Sequence, residues 1–107
     1  MYDVKITVER MPVFKDLADK YATPMGAECS AHKVGQVFIS KEYGMPEGIC
    51  PWAWVDIQRD AAVLASGGNY PWVKQKGLQF SCCTAGITPV IFRLERIEEK
   101  KEKKPKK

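Results

Sequence analysis

The stretch LQFSCCTAGITPVIFRLERI, residues 78–97, decides the fold class because it predicts two strands joined by a short turn. Leu78–Cys83 forms the first predicted strand and Val90–Ile97 the second. In the second strand, apolar residues alternate with Ile91, Arg93 and Glu95, which indicates one buried face and one partly covered face. A turn this short makes its two strands antiparallel.

The rest of the chain adds two strands and two helices in front of this hairpin. The apolar residues of the strands alternate, whereas those of the helices recur at helical spacing. Pro51 suits a first helical turn, and Gly67-Gly68 supplies the left-handed conformation that ends a helix. The predicted elements are a strand over Tyr2–Arg10, a short helix over Phe14–Tyr21, a strand over Val34–Ser40 and the main helix over Trp52–Ser66.

The order β-α-β-α-β-β predicts an α+β fold: a small, mostly antiparallel sheet packed against one main helix and one short helix. A chain of 107 residues with 45% hydrophobic composition fits one globular domain, which we assign to residues 1–97. The remaining residues 98–107, EEKKEKKPKK, form a charged tail that we expect to be disordered.

The net charge of +4 does not indicate a nucleic-acid partner, because the tail carries +3 of it and leaves the body at +1. No run approaches the roughly 18 apolar residues that a membrane span requires. The start, MYDVKITVER, lacks the basic-then-apolar order of a signal peptide. We therefore expect a cytoplasmic protein without a membrane partner.

In a reducing cytosol, cysteines serve metal binding, catalysis or packing more often than disulfides. Cys29, Cys50, Cys82 and Cys83 all lie at the edges of predicted elements, in or beside loops that can converge in space. Four thiolates are the ligand set of zinc or of an iron–sulfur cluster. Because paired C-x-x-C knuckles are missing, zinc is the alternative and an iron–sulfur cluster the leading prediction. His32, the only histidine, is a fourth or substitute ligand, or simply a solvated side chain.

Cys50 lies directly before Pro51, at the predicted N-cap of the main helix. Unpaired N–H groups and the helix dipole stabilise a thiolate at this position. A metal ligand and a reactive nucleophile both need such a position. The alternative is a small apolar residue that fills the joint between loop and helix.

Cys82 and Cys83 point to opposite faces if the strand is regular. Both serve one site only if the chain leaves strand geometry at the Thr84-Ala85-Gly86 turn. A strained vicinal disulfide is one alternative, and one thiol in the core with the other in the site is another.

The aromatic residues of the second half form either core or a lining that shields a site from water. We assign Trp52, Trp54 and Trp72 to this lining. The same residues are equally compatible with a pocket for a small molecule.

Two motifs give the chain a family resemblance: Cys50-Pro51-Trp52-Ala53-Trp54, and Cys82-Cys83-Thr84-Ala85-Gly86 followed by Pro89-Val90-Ile91-Phe92. The chain resembles an uncharacterised family of proteins of about this length from anaerobic bacteria and archaea. The family's motifs are Cys-Pro-Trp/Phe-Ala-Trp and CC-x-D-G-x-R-P-V-x-F. Its anaerobic distribution implies an oxygen-sensitive iron–sulfur or metal site at the matching cysteines. Ala85 and Thr88 depart from the family's usual Asp and Arg, which implies a changed activity or partner.

Three functions follow as hypotheses. The leading one is a small metal or redox protein that binds an iron–sulfur cluster or a transition metal and acts on a redox partner or small molecule. The second is a thiol redox enzyme with Cys50 as nucleophile and Cys82 or Cys83 as resolving thiol. The third is a module that binds a small molecule or protein and has structural cysteines. A half-apolar sheet is also compatible with a homo-oligomer.

Overall fold

The computed structural model describes residues 1–26 and 28–98 and confirms the predicted α+β fold. Residues 99–107, which make up most of the predicted tail, lie outside the described residues. The elements are β1 (Asp3–Arg10), α1 (Lys15–Tyr21), a short 3-10 helix (Pro24–Gly26), β2 (Val37–Ser40), α2 (Pro51–Ala65), β3 (Leu78–Cys82) and β4 (Ile91–Ile97).

The four strands form one antiparallel sheet in the order β2-β1-β4-β3. Ile6 of β1 pairs with Phe38 on one side and with Leu94 on the other, which fixes the register at the centre of the sheet. The predicted hairpin is formed by β3 and β4. Strand β2 begins at Val37 rather than at the predicted Val34, because Gly35 has a φ of +91° and turns the chain before the ladder begins.

Helix α2 begins and ends where its terminal residues predict. Pro51 occupies the first turn, where its missing N–H leaves no hydrogen bond unmade. Gly67 adopts a φ of +93°, and the N–H groups of Gly67 and Gly68 donate to the carbonyls of Leu64 and Val63. This pair of bonds is a Schellman motif, which satisfies carbonyls that the helix itself leaves unpaired.

The core lies between α2 and one face of the sheet. Its side chains interdigitate at the periods of a helix and of strands, and several are fully buried. The main contributors are Val4, Ile6, Val8, Phe38, Phe92 and Leu94 from the sheet and Trp54, Ile57, Ala61 and Leu64 from α2.

The short helix α1 contributes one buried side chain, Ala18, among its described residues. Phe14, Leu17 and Tyr21 remain largely exposed, so α1 adds much less to the core than α2 does. Neither described helix is long and apolar enough to cross a membrane.

Candidate functional site

A cavity of about 530 Å³ lies at the N-terminus of α2. Three segments that are far apart in sequence form its wall: the loop over residues 29–32, the first turns of α2, and the end of β3 with the turn that follows. We call it the thiol cavity. Its lining residues are Cys29, His32, Cys50, Pro51, Trp52, Ala53, Val55, Asp56, Cys83, Thr84, Ala85 and Val90.

Cys83 reaches the thiol cavity from the hairpin. Its backbone N–H donates to the Val90 carbonyl at 3.1 Å, and its Sγ accepts the Val90 N–H at 3.2 Å. The side chain is 9% exposed. These two bonds and the burial hold the sulfur at a defined place on the covered side of the sheet.

Cys29 reaches the same cavity from the loop between α1 and β2. Its Sγ accepts the Ala31 N–H at 3.4 Å, a bond within the loop itself. The side chain is half-buried and packs against the edge of the core. N–H donors of this kind also surround the thiolates of iron–sulfur sites, where they tune the reduction potential.

Cys50 is the N-cap residue of α2, as its place before Pro51 predicts. Its φ and ψ of −63° and 125° are extended, and its side chain makes no capping hydrogen bond. The Cys50 carbonyl accepts the Trp54 N–H, and the Cys50 N–H donates to Nε2 of His32 at 3.2 Å. The backbone of Cys50 is thus fixed, while its thiol is left available to the cavity.

His32 is buried, not solvated, with 5% of its surface exposed. Its ring meets the rings of Phe38 and Phe92 edge-on, with centroids 5.5 Å apart in each case. Burial lowers the pKa of His32, so the neutral ring is favoured. Because Nε2 accepts a hydrogen bond, the proton of the neutral ring lies on Nδ1, which is buried and has no hydrogen-bond partner among the described residues.

Asp56 ties α2 to the turn after Cys83. Its Oδ2 accepts the Thr84 N–H at 2.8 Å and the Thr84 hydroxyl at 3.0 Å. Asp56 therefore holds the hairpin turn, with Cys83 beside it, against the first turns of the helix.

The structure separates the two adjacent cysteines. Cys82 pairs with Ile91 at the end of β3 and is exposed, whereas Cys83 is buried on the face that α2 covers. The reason is the strict alternation of side chains along a strand. One thiol therefore joins the cavity and the other faces away from it.

The predicted tryptophan lining is reduced to Trp52, which lies at the cavity with 83% of its surface exposed. Trp54 is buried in the core, because the position two residues further along a helix points to a different side. Trp72 is 72% exposed and packs beside Tyr70, with ring centroids 5.1 Å apart.

Sequence reasoning missed Val55, Asp56 and Thr84 as lining residues. Val55 and Asp56 follow Trp52 at the i+3 and i+4 positions of α2, so helical spacing was the signal that could have found them. Ala85, where the resembled family carries Asp, also lines the cavity, whereas Thr88 lines a separate, smaller one beside Met11 and Cys29.

All four cysteines are free thiols. Within residues 1–26 and 28–98, no group of three or more His, Cys, Asp or Glu side chains is arranged to hold a metal ion. The thiol cavity therefore gathers soft donor groups without a preassembled coordination site.

Comparison with known proteins adds no relative. No family model matches the chain, and neither a curated protein nor a solved structure shows significant similarity to it. The family resemblance of the two cysteine motifs stays a prediction.

Proposed function

We propose that this is a small metal or redox protein whose working site is the thiol cavity, with Cys29, Cys50 and Cys83 as the ligands of an iron–sulfur cluster or a thiophilic transition metal. The observation that supports it most is the convergence of these thiols from three separate segments on one cavity. Packing alone does not require three cysteines at one place, whereas a thiolate-bound metal does.

The chemistry of the lining suits such a group. Thiolates select iron–sulfur clusters, zinc and copper(I) over hard cations. The apolar side chains of Ala53, Val55 and Val90 would keep water from the metal, and the N–H bonds to Cys29 and Cys83 would stabilise charge on sulfur. When bound, the group would supply electron transfer or Lewis-acid chemistry at the cavity.

Binding must also draw the donors together, since the described side chains form no ready coordination group. The loop over residues 29–32 and the N-cap are the natural places for this movement. Cys83, by contrast, is fixed by the hairpin and by its bond from Val90. The proposal therefore predicts that metal uptake orders the Cys29 loop against α2.

The test is anaerobic purification of the full chain, followed by assays for iron, acid-labile sulfide and zinc and by an absorption spectrum. The proposal expects bound metal that is lost in Cys50→Ser and Cys83→Ser. Cys82→Ser is the matched control, because it removes a thiol from the neighbouring position outside the cavity. Metal-free protein with four free thiols, also after anaerobic reconstitution, would contradict the proposal.

A second candidate function is thiol–disulfide exchange with Cys50 as nucleophile, favoured by a thiol at the start of a 15-residue helix that makes no capping bond. The Cys50 thiolate would attack one sulfur of a disulfide substrate, whose other sulfur leaves as a thiolate. Cys83 would then attack Cys50 and release the substrate's first sulfur.

Alkylation near neutral pH separates this candidate from an inert thiol. Half-buried Cys50 should react faster than exposed Cys82 in variants that retain one cysteine each. A slower Cys50 would leave accessibility as the only influence on the rates and would rule the nucleophile out.

A further inference from the structure

We infer that the thiol cavity is a three-ligand metal site whose fourth coordination position is open to a small neutral nitrogen or sulfur donor from outside the protein. This inference rests on the proposed metal site and goes beyond it by assigning the number of protein ligands and the class of ligand that completes the shell. Sites with three protein ligands and an open position are the ones that bind substrates, whereas four-ligand sites are structural.

Cys82 is excluded as the fourth ligand by the geometry of β3. Its place opposite Ile91 in the ladder puts its side chain on the face away from α2, while Cys83 points toward α2. To bring both sulfurs to one metal, the last residues of β3 would have to leave the sheet and give up the pairing with β4.

His32 is excluded by its hydrogen bonding. A metal on Nε2 needs the lone pair that now accepts the Cys50 N–H. A metal on Nδ1 of a neutral ring requires the proton on Nε2, where it would face the Cys50 N–H, so that two donors oppose each other. His32 is therefore a positioning residue that fixes the backbone of Cys50, held in turn between Phe38 and Phe92.

Asp56 is the remaining donor in the lining, and its Oδ2 is engaged by both hydrogen-bond donors of Thr84. A soft metal also prefers sulfur or nitrogen to a carboxylate oxygen. These two facts assign Asp56 to the support of the hairpin turn and leave the three thiols as the protein ligands.

The charge around the cavity selects the external ligand. Three thiolates around a divalent ion leave one net negative charge, and Asp56, the formally charged residue among the described lining residues, adds another. An anionic ligand would be repelled, whereas a neutral donor would not. The volume of about 530 Å³ and the apolar residues Trp52, Val55 and Val90 leave room for its apolar part.

The experiment uses the full chain loaded anaerobically with cobalt(II), whose ligand-field absorption reports the donor set. Imidazole is the neutral probe, and acetate at the same concentration is the anionic control. We expect one cobalt per chain, a saturable change of the absorption bands with imidazole, and no change with acetate. Cys82→Ser, His32→Gln and Asp56→Asn should retain cobalt, whereas Cys83→Ser should weaken its binding by about 100-fold or more.

Two failures are distinguishable. If cobalt binds but imidazole leaves the spectrum unchanged, or if Cys82→Ser or Asp56→Asn abolishes binding, a fourth protein ligand fills the shell and this inference alone is overturned. If neither cobalt nor iron binds to the chain, the proposed function fails and this inference with it.

Discussion

Replacing His32 tests whether this buried ring anchors the start of α2. His32→Ala removes two edge-on ring contacts, to Phe38 and Phe92, each worth about 0.5–1.5 kcal/mol. It also leaves the Cys50 N–H without its acceptor, which costs about 1–3 kcal/mol for a buried donor. We therefore expect a loss of about 3 kcal/mol in the free energy of unfolding, a large fraction of the roughly 5–15 kcal/mol of a typical domain.

Two further variants divide this loss between its causes. His32→Phe keeps a ring between Phe38 and Phe92 but removes the acceptor, so it should lose about 1–3 kcal/mol. His32→Gln places Oε1 within reach of the Cys50 N–H but removes the ring, so it should lose about 1–2 kcal/mol. Lys33→Ala is the control, because the Lys33 side chain is exposed in the same loop and should leave stability unchanged.

The assay is urea denaturation followed by tryptophan fluorescence, in which a lower midpoint at constant slope reports lost stability. Hydrogen exchange of the Cys50 amide gives a local measure and should accelerate in His32→Phe but not in His32→Gln. If His32→Phe retains the wild-type midpoint and exchange rate, the hydrogen bond from Cys50 does not anchor the helix, and the role given to His32 as a positioning residue is wrong.

Three further predictions concern groups that hold the fold around the cavity. The Tyr70 hydroxyl donates to buried Asp60 at 2.6 Å, so Tyr70→Phe should lose about 1–3 kcal/mol in urea denaturation. Burial, together with the Asp60 bond, raises the pKa of Tyr70 from 10.0 to about 12. Its stabilising effect should therefore be complete below pH 10 and vanish between pH 10 and 12; a difference from Tyr70→Phe that persists above pH 12 would contradict this. Arg96→Lys should lose about 2–3 kcal/mol, because the guanidinium donates to the carbonyls of Leu64 and Gly68 at the end of α2, and an unchanged midpoint would refute that role. Asp56→Ala should cost less than about 1 kcal/mol, since its bonds to Thr84 are exposed, yet should speed alkylation of Cys83; an unaltered rate would show that the turn holds without it.

The local elements were predictable because their signals are short-range. Alternation identified the strands, and Pro51 and Gly67-Gly68 marked the two ends of α2 within about a residue. The start of β2 was missed by three residues, because a glycine turn at Gly35 interrupts an otherwise β-forming run. Strand alternation also predicted that Cys82 and Cys83 would be split between two faces, as they are.

The thiol cavity, by contrast, depends on which loops meet, and no local pattern records that. Cys29, Cys50 and Cys83 come together because the order β2-β1-β4-β3 and the packing of α2 bring three chain segments to one end of the sheet. The burial of His32 likewise depends on Phe38 and Phe92, which belong to two different strands. The sequence by itself determined the elements, their ends and the faces of each strand, since these follow from the backbone and from side-chain periodicity. The tertiary structure alone decided which thiols share a cavity and which one faces away, because that depends on strand order and register across long stretches of chain.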